Sequence, residues 1–510
     1  MIKWLKENYL YLTALALLVT VAYGNSLGNG FVADDVPEIL NNSKITENKY
    51  FLSDPRPLVP NIIYFGLVKT FGRSPIAFRL TNILFHLGNV WLLYLLITYL
   101  LNRKVAILAA AIFAVHPVLI ESVTWISGGP YPRYSFFILL ALVLYVLAGE
   151  WQNNKLYWAS TVSFAFALSN SEKAIVLPLI LLTLEISCQS WRQDWKRLIP
   201  FFALSGFWSL TFLGKLGQRI VDLGASHYQT VHRESPLLQV PIAVTSYLEL
   251  IFWPKNLTLY HSEMIFSATE YYLRLAILIV FLGLIVYSYK KSKPVFFWLS
   301  FFLISLLLTL IPLGISWIVA ERYVYLGAIG IFVVIAMGIK KIGDRLGNPF
   351  ISYAILLPLL LALTVRTIAR NADWKNQDTL WLAAAKTSPS SSQNHNNLGD
   401  LYGRRGDLER SAAEFKKAIE LKPNYADAYH NLANTYWQMG KVDEAVESFK
   451  KAAGLNPQLW QSCQNLAAIY FEQKDFAAAK DWMEKAVAAN PEDPNLQRNL
   501  EIINAQLSNP

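Results

Sequence analysis

The apolar run Tyr9-Leu-Tyr-Leu-Thr-Ala-Leu-Ala-Leu-Leu-Val-Thr-Val-Ala22 is followed by the loop Asn29-Gly-Phe-Val-Ala-Asp-Asp-Val-Pro37. The apolar run predicts a first membrane helix that is retained as an anchor. A hydrophobic anchor does not require the neighbouring carboxylates Asp34 and Asp35, although acids at a bilayer surface are commonly only solvated. We therefore treat the two aspartates as candidate functional groups beside a membrane helix.

Composition divides the chain into a membrane part and a water-exposed part. Of 510 residues, 54% are apolar and 16% are charged, whereas soluble chains contain about 25% charged residues. Apolar stretches long enough to cross a bilayer recur between residues 9 and 368, and the chain beyond residue 370 is polar and alanine-rich. The net charge of +9 lies largely in short loops between predicted spans, so it does not indicate a nucleic-acid partner. Cys188 and Cys463 fall in different parts, and no disulfide is expected.

The membrane part, residues 1–370, is predicted to contain about eleven spans. They lie near 9–25, 78–101, 105–127, 135–149, 156–170, 173–188, 198–214, 273–289, 295–318, 323–339 and 350–368. This arrangement places the basic junctions and the N-terminus on the cytoplasmic side. The outer loops 26–77 and 215–272 and the C-terminal domain then lie on the opposite side. Segments 57–71 and 241–253 are short and bounded by proline, and we expect them to be interfacial or re-entrant, although twelve or thirteen spans are an alternative.

The C-terminal part repeats with a period of 34 residues, in the units 391–424, 425–458 and 459–492. This period is typical of tetratricopeptide repeats (TPRs), in which stacked helix pairs form a solenoid with a concave surface. Residues 371–390 are predicted to be a degenerate helical linker and residues 493–510 a capping helix. The fold class is therefore all-α, with a polytopic membrane domain followed by a TPR solenoid. The leucines, tyrosines and prolines that recur are Leu398/Leu432/Leu466, Tyr402/Tyr436/Tyr470 and Pro423/Pro457/Pro491.

The concave surface of such a solenoid commonly binds an extended polypeptide. Asparagines on the first helix of each repeat have side chains that can hydrogen-bond a peptide backbone. The alternative is that the repeats only stiffen or dimerise the protein and that these asparagines are ordinary solvated residues. The candidate acceptor-binding residues are Asn394, Asn397, Asn431, Asn434 and Asn465.

Acidic and basic residues also cluster at the predicted outer ends of the spans. Polar groups within membrane segments are costly and indicate function, although a neighbouring acid and base can also form a simple pair at headgroup level. No set has the spacing of metal ligands, so no metal site is predicted. The residues are Arg56, His116, Glu121, Arg133, Glu172, Lys173, Glu321, Arg322 and Tyr323.

These groups match the requirements of glycosyl transfer from a lipid phosphate. A carboxylate must deprotonate the acceptor hydroxyl, and Asp34 or Asp35 with Glu121 nearby can provide it. We prefer Asp35 as the base and Asp34 as its support. Cations must hold the phosphate leaving group, and the candidates are Arg56, Arg133, Lys173 and Arg322, with His116, Glu172, Glu321 and Tyr323 in support.

Seven stretches in order resemble the GT-C superfamily of membrane glycosyltransferases, above all the transmembrane-and-tetratricopeptide-repeat O-mannosyltransferases and their prokaryotic relatives. The resemblance implies a polyprenyl-phosphate sugar donor, commonly of mannose, an inverting displacement and a catalytic acidic motif in the first outer loop. The stretches are Gly30-Phe-Val-Ala-Asp-Asp35, Arg56-Pro-Leu58, Phe78-Arg-Leu-Thr-Asn-Ile-Leu-Phe-His86, His116-Pro-Val-Leu-Ile-Glu-Ser-Val123, Glu172 with Ala174-Ile-Val-Leu-Pro178, Glu321-Arg-Tyr-Val-Tyr-Leu326 and Asn371-Ala-Asp-Trp374.

The sequence departs from the family pattern at two places. An arginine is expected soon after Ser127-Gly128, but Gly129-Pro-Tyr-Pro132 intervenes before Arg133. A lysine is expected immediately before Glu172, where Ser171 stands and Lys173 follows instead. Both departures concern the groups expected to contact the donor phosphate.

The predicted activity is transfer of mannose or another hexose to Ser/Thr hydroxyls of an exported protein that the TPR domain recognises. The predicted partners are the lipid-linked sugar, the acceptor polypeptide and membrane lipids. No cofactor is required by the sequence, and a divalent cation is compatible with it. The location is the cytoplasmic membrane with the TPR domain outside, or the endoplasmic reticulum membrane with a lumenal TPR domain. The alternatives are a glycosyltransferase with a lipid or glycan acceptor, a non-catalytic envelope scaffold and, less consistent with polar groups at one end, a transporter.

Overall fold

A computed structural model describes residues 2–47, 49–50, 57–188, 195–225, 236–264, 266–310, 319–348 and 350–508. The regular structure within these ranges is helical, which confirms the all-α class. The chain divides into two compact units. The first comprises Met1–Gly217, Glu234–Leu259 and Met264–Leu380, and the second Gln218–Arg233, Tyr260–Glu263 and Trp381–Pro510. The longest segment of the second unit, Trp381–Pro510, therefore begins within the predicted linker 371–390.

The first unit contains most of the apolar helices. Buried alanine, leucine and phenylalanine side chains, for example along the fourth helix, hold these helices together. The helices that begin in this unit are α1 (Ile2–Tyr23), α2 (Leu58–Phe71), α3 (Pro75–Leu100), α4 (Arg103–Val115), α5 (Ile120–Val123), α6 (Pro130–Glu150), α7 (Asn154–Leu168), α8 (Leu177–Cys188), α9 (Ile199–Ala225), α10 (Pro236–Phe252), α11 (Ala268–Lys291), α12 (Lys293–Leu310), α13 (Ala328–Arg345), α14 (Phe350–Asp373) and α15 (Gln377–Thr387), and both α9 and α15 extend into the second unit.

The protein is a membrane protein, but the eleven-span prediction is not confirmed. Within the described residues, six helices are long and apolar enough to cross a bilayer, and a bent pair raises this number to seven. Several predicted spans are short helices here, such as α7 with 15 residues and α8 with 12. The predicted outer loop 215–272 instead contains the end of α9, all of α10 and the start of α11. The predicted short segments correspond to the 14-residue α2 and the 17-residue α10.

The bent pair interrupts the predicted span 105–127. Helix α4 ends at Val115, and the chain then turns by 55° into Pro117–Val123. His116 adopts φ −71° and ψ 127°, the extended conformation that a following proline favours. The turn that follows the bent pair lies beside the loop that carries the paired aspartates, where Ser127 donates to Asp35.

The second unit contains three helix pairs and a final helix. The pairs are α16 and α17 (Ser392–Arg404, Leu408–Leu421), α18 and α19 (Ala426–Gln438, Val442–Leu455), and α20 and α21 (Trp460–Glu472, Phe476–Ala489), followed by α22 (Pro494–Ser508). Each pair lies within one 34-residue unit of the sequence. A Cβ on Gly399 would lie 2.6 Å from the Phe415 ring, so a glycine is needed where the first two helices cross.

The turn inside each repeat requires a left-handed residue. Gly406 and Gly440 have φ of 77° and 74°, and Lys474 adopts φ 63° at the equivalent position of the third repeat. The amide of each of these residues donates to a carbonyl of the preceding helix. A lysine therefore accepts a conformation that glycine adopts at lower cost.

Candidate functional site

The paired aspartates lie in a tight turn whose backbone conformation is unusual. Ala33 has φ 50°, a left-handed conformation that is uncommon for a residue other than glycine. A single π-helical turn, Val36–Leu40, follows the aspartates directly. Backbone strain of this kind is concentrated at functional sites. The turn directs the two neighbouring carboxylates into different surroundings.

Asp35 is fully buried and fully engaged in hydrogen bonds. Its Oδ1 accepts from the backbone N–H of Ser127 at 2.8 Å and from the Ser127 hydroxyl at 2.6 Å. Its Oδ2 accepts from the backbone N–H of Val32 at 3.1 Å. Burial raises the pKa of Asp35 to about 6, against the lowering effect of these hydrogen bonds and of the Arg79 charge. Asp35 thus joins the first loop to the segment that follows the bent helix pair.

Asp34 and Glu38 occupy the exposed side of the same turn. Partial desolvation raises the pKa of Asp34, and the positive charge of Arg322 lowers it. The pKa of Glu38 is raised to about 7, first by desolvation and then by the negative charges of Asp34 and Asp35. Arg133 acts in the opposite direction on Glu38. The loop therefore presents three neighbouring carboxyl groups, of which Asp34 and Glu38 are exposed.

A fully buried arginine holds the loop in place. Arg79 on α3 donates from Nε to the Thr124 carbonyl at 2.8 Å and from its two terminal nitrogens to the carbonyls of Asn29 and Gly30, at 2.5 and 2.9 Å. All three acceptors are backbone oxygens, so the planar guanidinium joins three points of two segments. Arg79 fixes the start of the aspartate loop relative to the bent helix pair.

The two glycines after Ser127 allow this close packing. A Cβ on Gly128 would lie 2.0 Å from the Glu121 carbonyl oxygen, and one on Gly129 would lie 2.2 Å from the side-chain oxygen of Asn82. The Asn82 amide donates to the Trp125 carbonyl at 3.1 Å. The Gly128-Gly129 turn thus needs two residues without side chains.

The end of α14 closes the other side of the loop. The side chain of Asn371 donates to the carbonyl of Ala22 at 2.8 Å and accepts from the Thr124 hydroxyl at 2.7 Å. Its own carbonyl accepts from the Asn29 side chain at 2.9 Å. Segments far apart in sequence therefore converge on the aspartate loop.

Two cations lie around one tyrosine ring. The Lys173 Nζ is 5.3 Å from the ring centroids of both Tyr323 and Tyr131, and the guanidinium carbon of Arg322 is 5.0 Å from the Tyr323 centroid. Glu121 is fully buried and forms a close ion pair with Arg322, whose backbone N–H also donates to Glu121 at 2.8 Å. The Lys173 Nζ is 3.6 Å from Glu172. The structure thus brings Glu121, Glu172, Lys173, Arg322 and Tyr323 into one cluster.

The remaining predicted cations are placed differently. Arg133 is only 1% exposed, its guanidinium carbon lies 5.1 Å from the Tyr64 ring centroid, and it donates to the Tyr64 hydroxyl at 3.3 Å. Its guanidinium therefore packs against Tyr64, and its positive charge acts on Glu38. Arg56 lies outside the described residues.

Two predicted supporting residues have structural contacts. His116 is buried, accepts from the Val118 N–H at 3.2 Å through Nδ1, and places Nε2 2.9 Å from the Ile251 carbonyl. It caps the turn that starts at Pro117. Glu321 is fully buried, accepts from the Thr258 N–H and lies 3.9 Å from Arg370. Both residues position segments around the cluster without entering it.

In the second unit, the predicted asparagines form contacts between repeats. Asn431 donates to Asn396 at 3.1 Å and Asn465 donates to Asn434 at 2.9 Å. Asn397 lies 3.5 Å from the Tyr260 hydroxyl. Asn394 is fully buried, so its side chain is not available to an acceptor polypeptide.

Sequence reasoning missed three residues that shape the site. Arg79 lies in a stretch that resembles the family and Ser127 lies just before Gly128, but neither residue was assigned a function from the sequence alone. Glu38 was not among the predicted site residues. The available signals were an arginine inside an apolar helix and a third acid four residues after Asp34.

Among the described residues, no group of three or more His, Cys, Asp or Glu side chains is arranged to hold a metal ion.

Models of known protein families match both parts of the chain. The dolichyl-phosphate-mannose-protein mannosyltransferase family model matches residues 55–211. Three TPR models match residues 399–440, 426–459 and 460–493. A solved structure of the first TPR of Spaghetti (RPAP3) bound to an HSP90 peptide aligns with 23% of this chain and 94% of that chain, at 19% identity and a TM-score of 0.22.

Curated relatives extend the similarity over most of the chain. Protein O-mannosyl-transferase TMTC3 of Homo sapiens is 27% identical over 81% of this chain and 51% of that protein. Protein O-mannosyl-transferase F38B6.6 of Caenorhabditis elegans is 24% identical over 81% of this chain and 63% of that protein. The chain thus spans about half the length of the human relative. Over four-fifths of its length the chain is thus similar to TMTC protein O-mannosyltransferases, and it combines a segment matched by the mannosyltransferase family model with C-terminal TPRs.

Proposed function

We propose that this chain transfers mannose or another hexose from a polyprenyl-phosphate donor to serine or threonine hydroxyls of an exported protein. The observation that carries the proposal is the exposed carboxylate of Asp34 in the field of Arg322, which shares the Tyr323 ring with Lys173. A base and two cations are what a displacement at the anomeric carbon of a sugar phosphate requires. The names of the homologous proteins support the same class of reaction.

Asp34 is the proposed base, which reverses the preference drawn from sequence. Both oxygens of Asp35 accept hydrogen bonds, so this carboxylate is positioned to hold the loop. Asp34 takes the proton of the acceptor hydroxyl, whose oxygen attacks the anomeric carbon. The bond from that carbon to the phosphate oxygen breaks, and the polyprenyl phosphate leaves with the electron pair. A single displacement inverts the anomeric configuration.

Lys173 and Arg322 are the proposed contacts for the departing phosphate. Each lies beside the Tyr323 ring, and each already has a carboxylate partner, Glu172 and Glu121 respectively. These carboxylates hold the cations in place before the donor binds, and the phosphate adds a further charge-assisted contact. No metal is assigned to this step.

The TPR unit is the proposed acceptor-recognition domain. The asparagine contacts Asn396–Asn431 and Asn434–Asn465 leave amide groups of successive repeats aligned along the first helices. We place this domain and the Asp34 loop on the outer side of the membrane. An Asn434→Ala variant is expected to raise the KM for a protein acceptor more than that for a short peptide. The matched control is Asn495→Ala in α22, and equal effects on both acceptors would contradict the recognition role.

The direct test is transfer by the purified full-length chain in lipid nanodiscs. The donor is polyprenyl-phosphate [³H]mannose, and the acceptor is a serine- and threonine-rich peptide. Wild type is expected to label the peptide, Asp34→Asn to lose labelling, and Asp344→Asn, an exposed aspartate paired with Lys340, to retain it. Failure of wild type to label any acceptor would contradict the proposed activity and favour a scaffold.

A further inference from the structure

A cavity lies at the end of the membrane unit that is remote from the loop with Asp34 and Asp35. It has a volume of about 660 Å³ and is formed where α3, α6 and α8 end and α7 begins. Helix α6 starts at Pro130, beside the Gly128-Gly129 turn, and ends next to the cavity at Glu150. A helix of its length is about 30 Å long, so the cavity is separate from the site described above.

An arginine with an open hydrogen-bonding edge lines this cavity. The guanidinium carbon of Arg197 lies 4.9 Å from the ring centroid of Tyr145 and 5.5 Å from that of Tyr157. The Tyr157 hydroxyl donates to the Arg197 carbonyl at 2.9 Å and so fixes the backbone. Within the described parts of the chain, no acceptor engages the guanidinium. The two tyrosine rings therefore orient the half-buried Arg197 guanidinium, whose N–H donors line the cavity.

The local charge favours an anion. Lys196 also lines the cavity, next to Arg197. One carboxylate, Glu185, is present, but it is 5% exposed and accepts a hydrogen bond from the Tyr145 hydroxyl at 2.6 Å. Among the described residues that line the cavity, two cations thus accompany one carboxylate. The terminal nitrogens of Arg197 lie next to Gly149, and a Cβ added to this glycine would lie 3.5 Å from one of them.

The surroundings place this cavity at the level of lipid headgroups. Exposed tryptophans lie beside it on the chain, Trp151 at 52% exposure and Trp195 at 51%. Tryptophans concentrate where a membrane meets water. Apolar lining residues, including Leu100, Val146 and Leu184, continue from the charged part of the cavity. A ligand with a charged head and an apolar tail matches this arrangement.

We propose that this cavity binds the phosphate headgroup of an anionic membrane lipid, with the Arg197 guanidinium as its forked contact. Arginine pairs with phosphate through two parallel hydrogen bonds, and Lys196 adds a point charge. Basic cavities between membrane helices recognise lipid headgroups in this way. The lipid would hold the ends of α6, α7 and α8 together at the face opposite the carboxylate loop.

The natural cysteine Cys188 provides a reporter for occupancy. Cys188 is exposed and lines the cavity, whereas Cys463 is buried in the TPR unit. The full chain is placed in nanodiscs of phosphatidylcholine with or without phosphatidylglycerol, and the rate of maleimide labelling at Cys188 is followed by peptide mass spectrometry. Phosphatidylglycerol is expected to slow labelling of the wild type. A separate arm with inorganic phosphate in phosphatidylcholine tests whether a soluble phosphate, instead of a lipid, is the source of the anion.

The variants make the test specific to the proposed contact. Arg197→Gln is expected to raise by about tenfold the phosphatidylglycerol concentration that protects Cys188 from labelling, because one bidentate contact is lost. Arg103→Gln, which removes a basic residue paired with Glu7 outside the cavity, is expected to retain protection. Arg197→Lys keeps the charge without the fork and serves if the glutamine variant does not fold. Equal protection of wild type and either Arg197 variant, no protection by phosphatidylglycerol, or protection by inorganic phosphate alone would overturn the proposal.

Discussion

At the residue scale, two adjacent aspartates have different surroundings, and the proposed mechanism gives them different roles. Asp35 is buried and receives hydrogen bonds on both oxygens, whereas Asp34 is exposed in the field of Arg322. Environment assigns separate tasks to two carboxylates of the same type in this way. Sequence reasoning found both residues but could not separate them, because the partner Ser127 lies 92 positions away.

The first prediction concerns stability. Asp35→Ala would leave the N–H groups of Val32 and Ser127 without an acceptor, and each such loss costs about 1–3 kcal/mol. Asp34→Ala, an exposed substitution, is expected to change stability by less than about 0.5 kcal/mol. Thermal unfolding of both variants in detergent compares them. A stability loss for Asp34→Ala as large as that for Asp35→Ala would contradict the assigned roles.

The second prediction concerns pH. Because the pKa values of Asp35 and Glu38 are raised to about 6 and about 7, the carboxylate cluster gains protons as the pH falls through this range. Protonation of Asp35 and Glu38 removes negative charge near Asp34 and so lowers the basicity of Asp34. Transfer is therefore expected to fall between about pH 7 and 6, a range well above the ordinary aspartate pKa of about 3.9. Glu38→Gln removes the highest of these pKa values and should move the acid limb of the rate profile to lower pH. Glu47→Gln, an exposed acid in the same loop, should leave the limb unchanged.

The raised pKa values of Asp35 and Glu38 affect folding stability in the opposite direction to activity, because stability falls as the pH rises. A carboxyl whose folded pKa is raised binds its proton more tightly in the folded state. Its contribution to stability is therefore present below the unfolded pKa of about 4 and is lost as the pH rises through 6 to 7. Transfer that rises with pH while the unfolding temperature falls would agree with the account. A rate profile that is flat from pH 5 to 8 would contradict it.

At the element scale, the aspartate loop depends on the helices around it. Arg79 joins α3 to three backbone carbonyls, and the bend after His116 brings Glu121 to Arg322. Hydropathy predicted an unbroken span 105–127, because it records apolar content and not the backbone restriction before a proline. The interactions across the bend pair residues about 200 positions apart, as for Glu121 and Arg322. No local pattern identifies such pairs.

The third prediction tests the arginine that holds the loop. Arg79→Lys keeps a positive charge, but an ammonium cannot reach three carbonyls in the geometry of the guanidinium. Transfer is expected to fall by about tenfold or more, since small displacements of catalytic groups have large effects on rate. The control is Arg73→Lys, an arginine that donates to the Asn42 carbonyl at the surface. Equal activity of the two variants would argue against a positioning role for Arg79.

The fourth prediction concerns the third TPR. Lys474 adopts a left-handed conformation where the other repeats have glycine. Lys474→Gly is expected to stabilise the TPR unit by about 1 kcal/mol, because the Cβ clash of the left-handed conformation is removed. Lys480→Gly within α21 should destabilise it by about 1 kcal/mol. Denaturant unfolding measures both, and a loss of stability for Lys474→Gly would show that the lysine side chain has an important contact.

At the scale of the whole molecule, repetition and composition predicted more than local chemistry did. The all-α class, the membrane part and the TPR repeats follow from period and hydropathy, since both sum over many residues. The span number did not follow, because helices such as α7 and α8 are short and packed against neighbours. The burial of Arg133 and Asn394 was likewise invisible, since burial depends on tertiary packing. The loop with Asp34 and Asp35 was identified because a membrane anchor does not itself require two adjacent carboxylates beside it.

The central claim is that Asp34 enables sugar transfer to exported proteins. The measurement that tests it most directly is intact mass spectrometry of exported proteins from cells that carry wild type, Asp34→Asn or Asp344→Asn at equal membrane levels. Hexose-sized mass increments that are present with wild type and Asp344→Asn and absent with Asp34→Asn are the predicted result. Increments that persist in Asp34→Asn cells would contradict the assignment of Asp34 as the base.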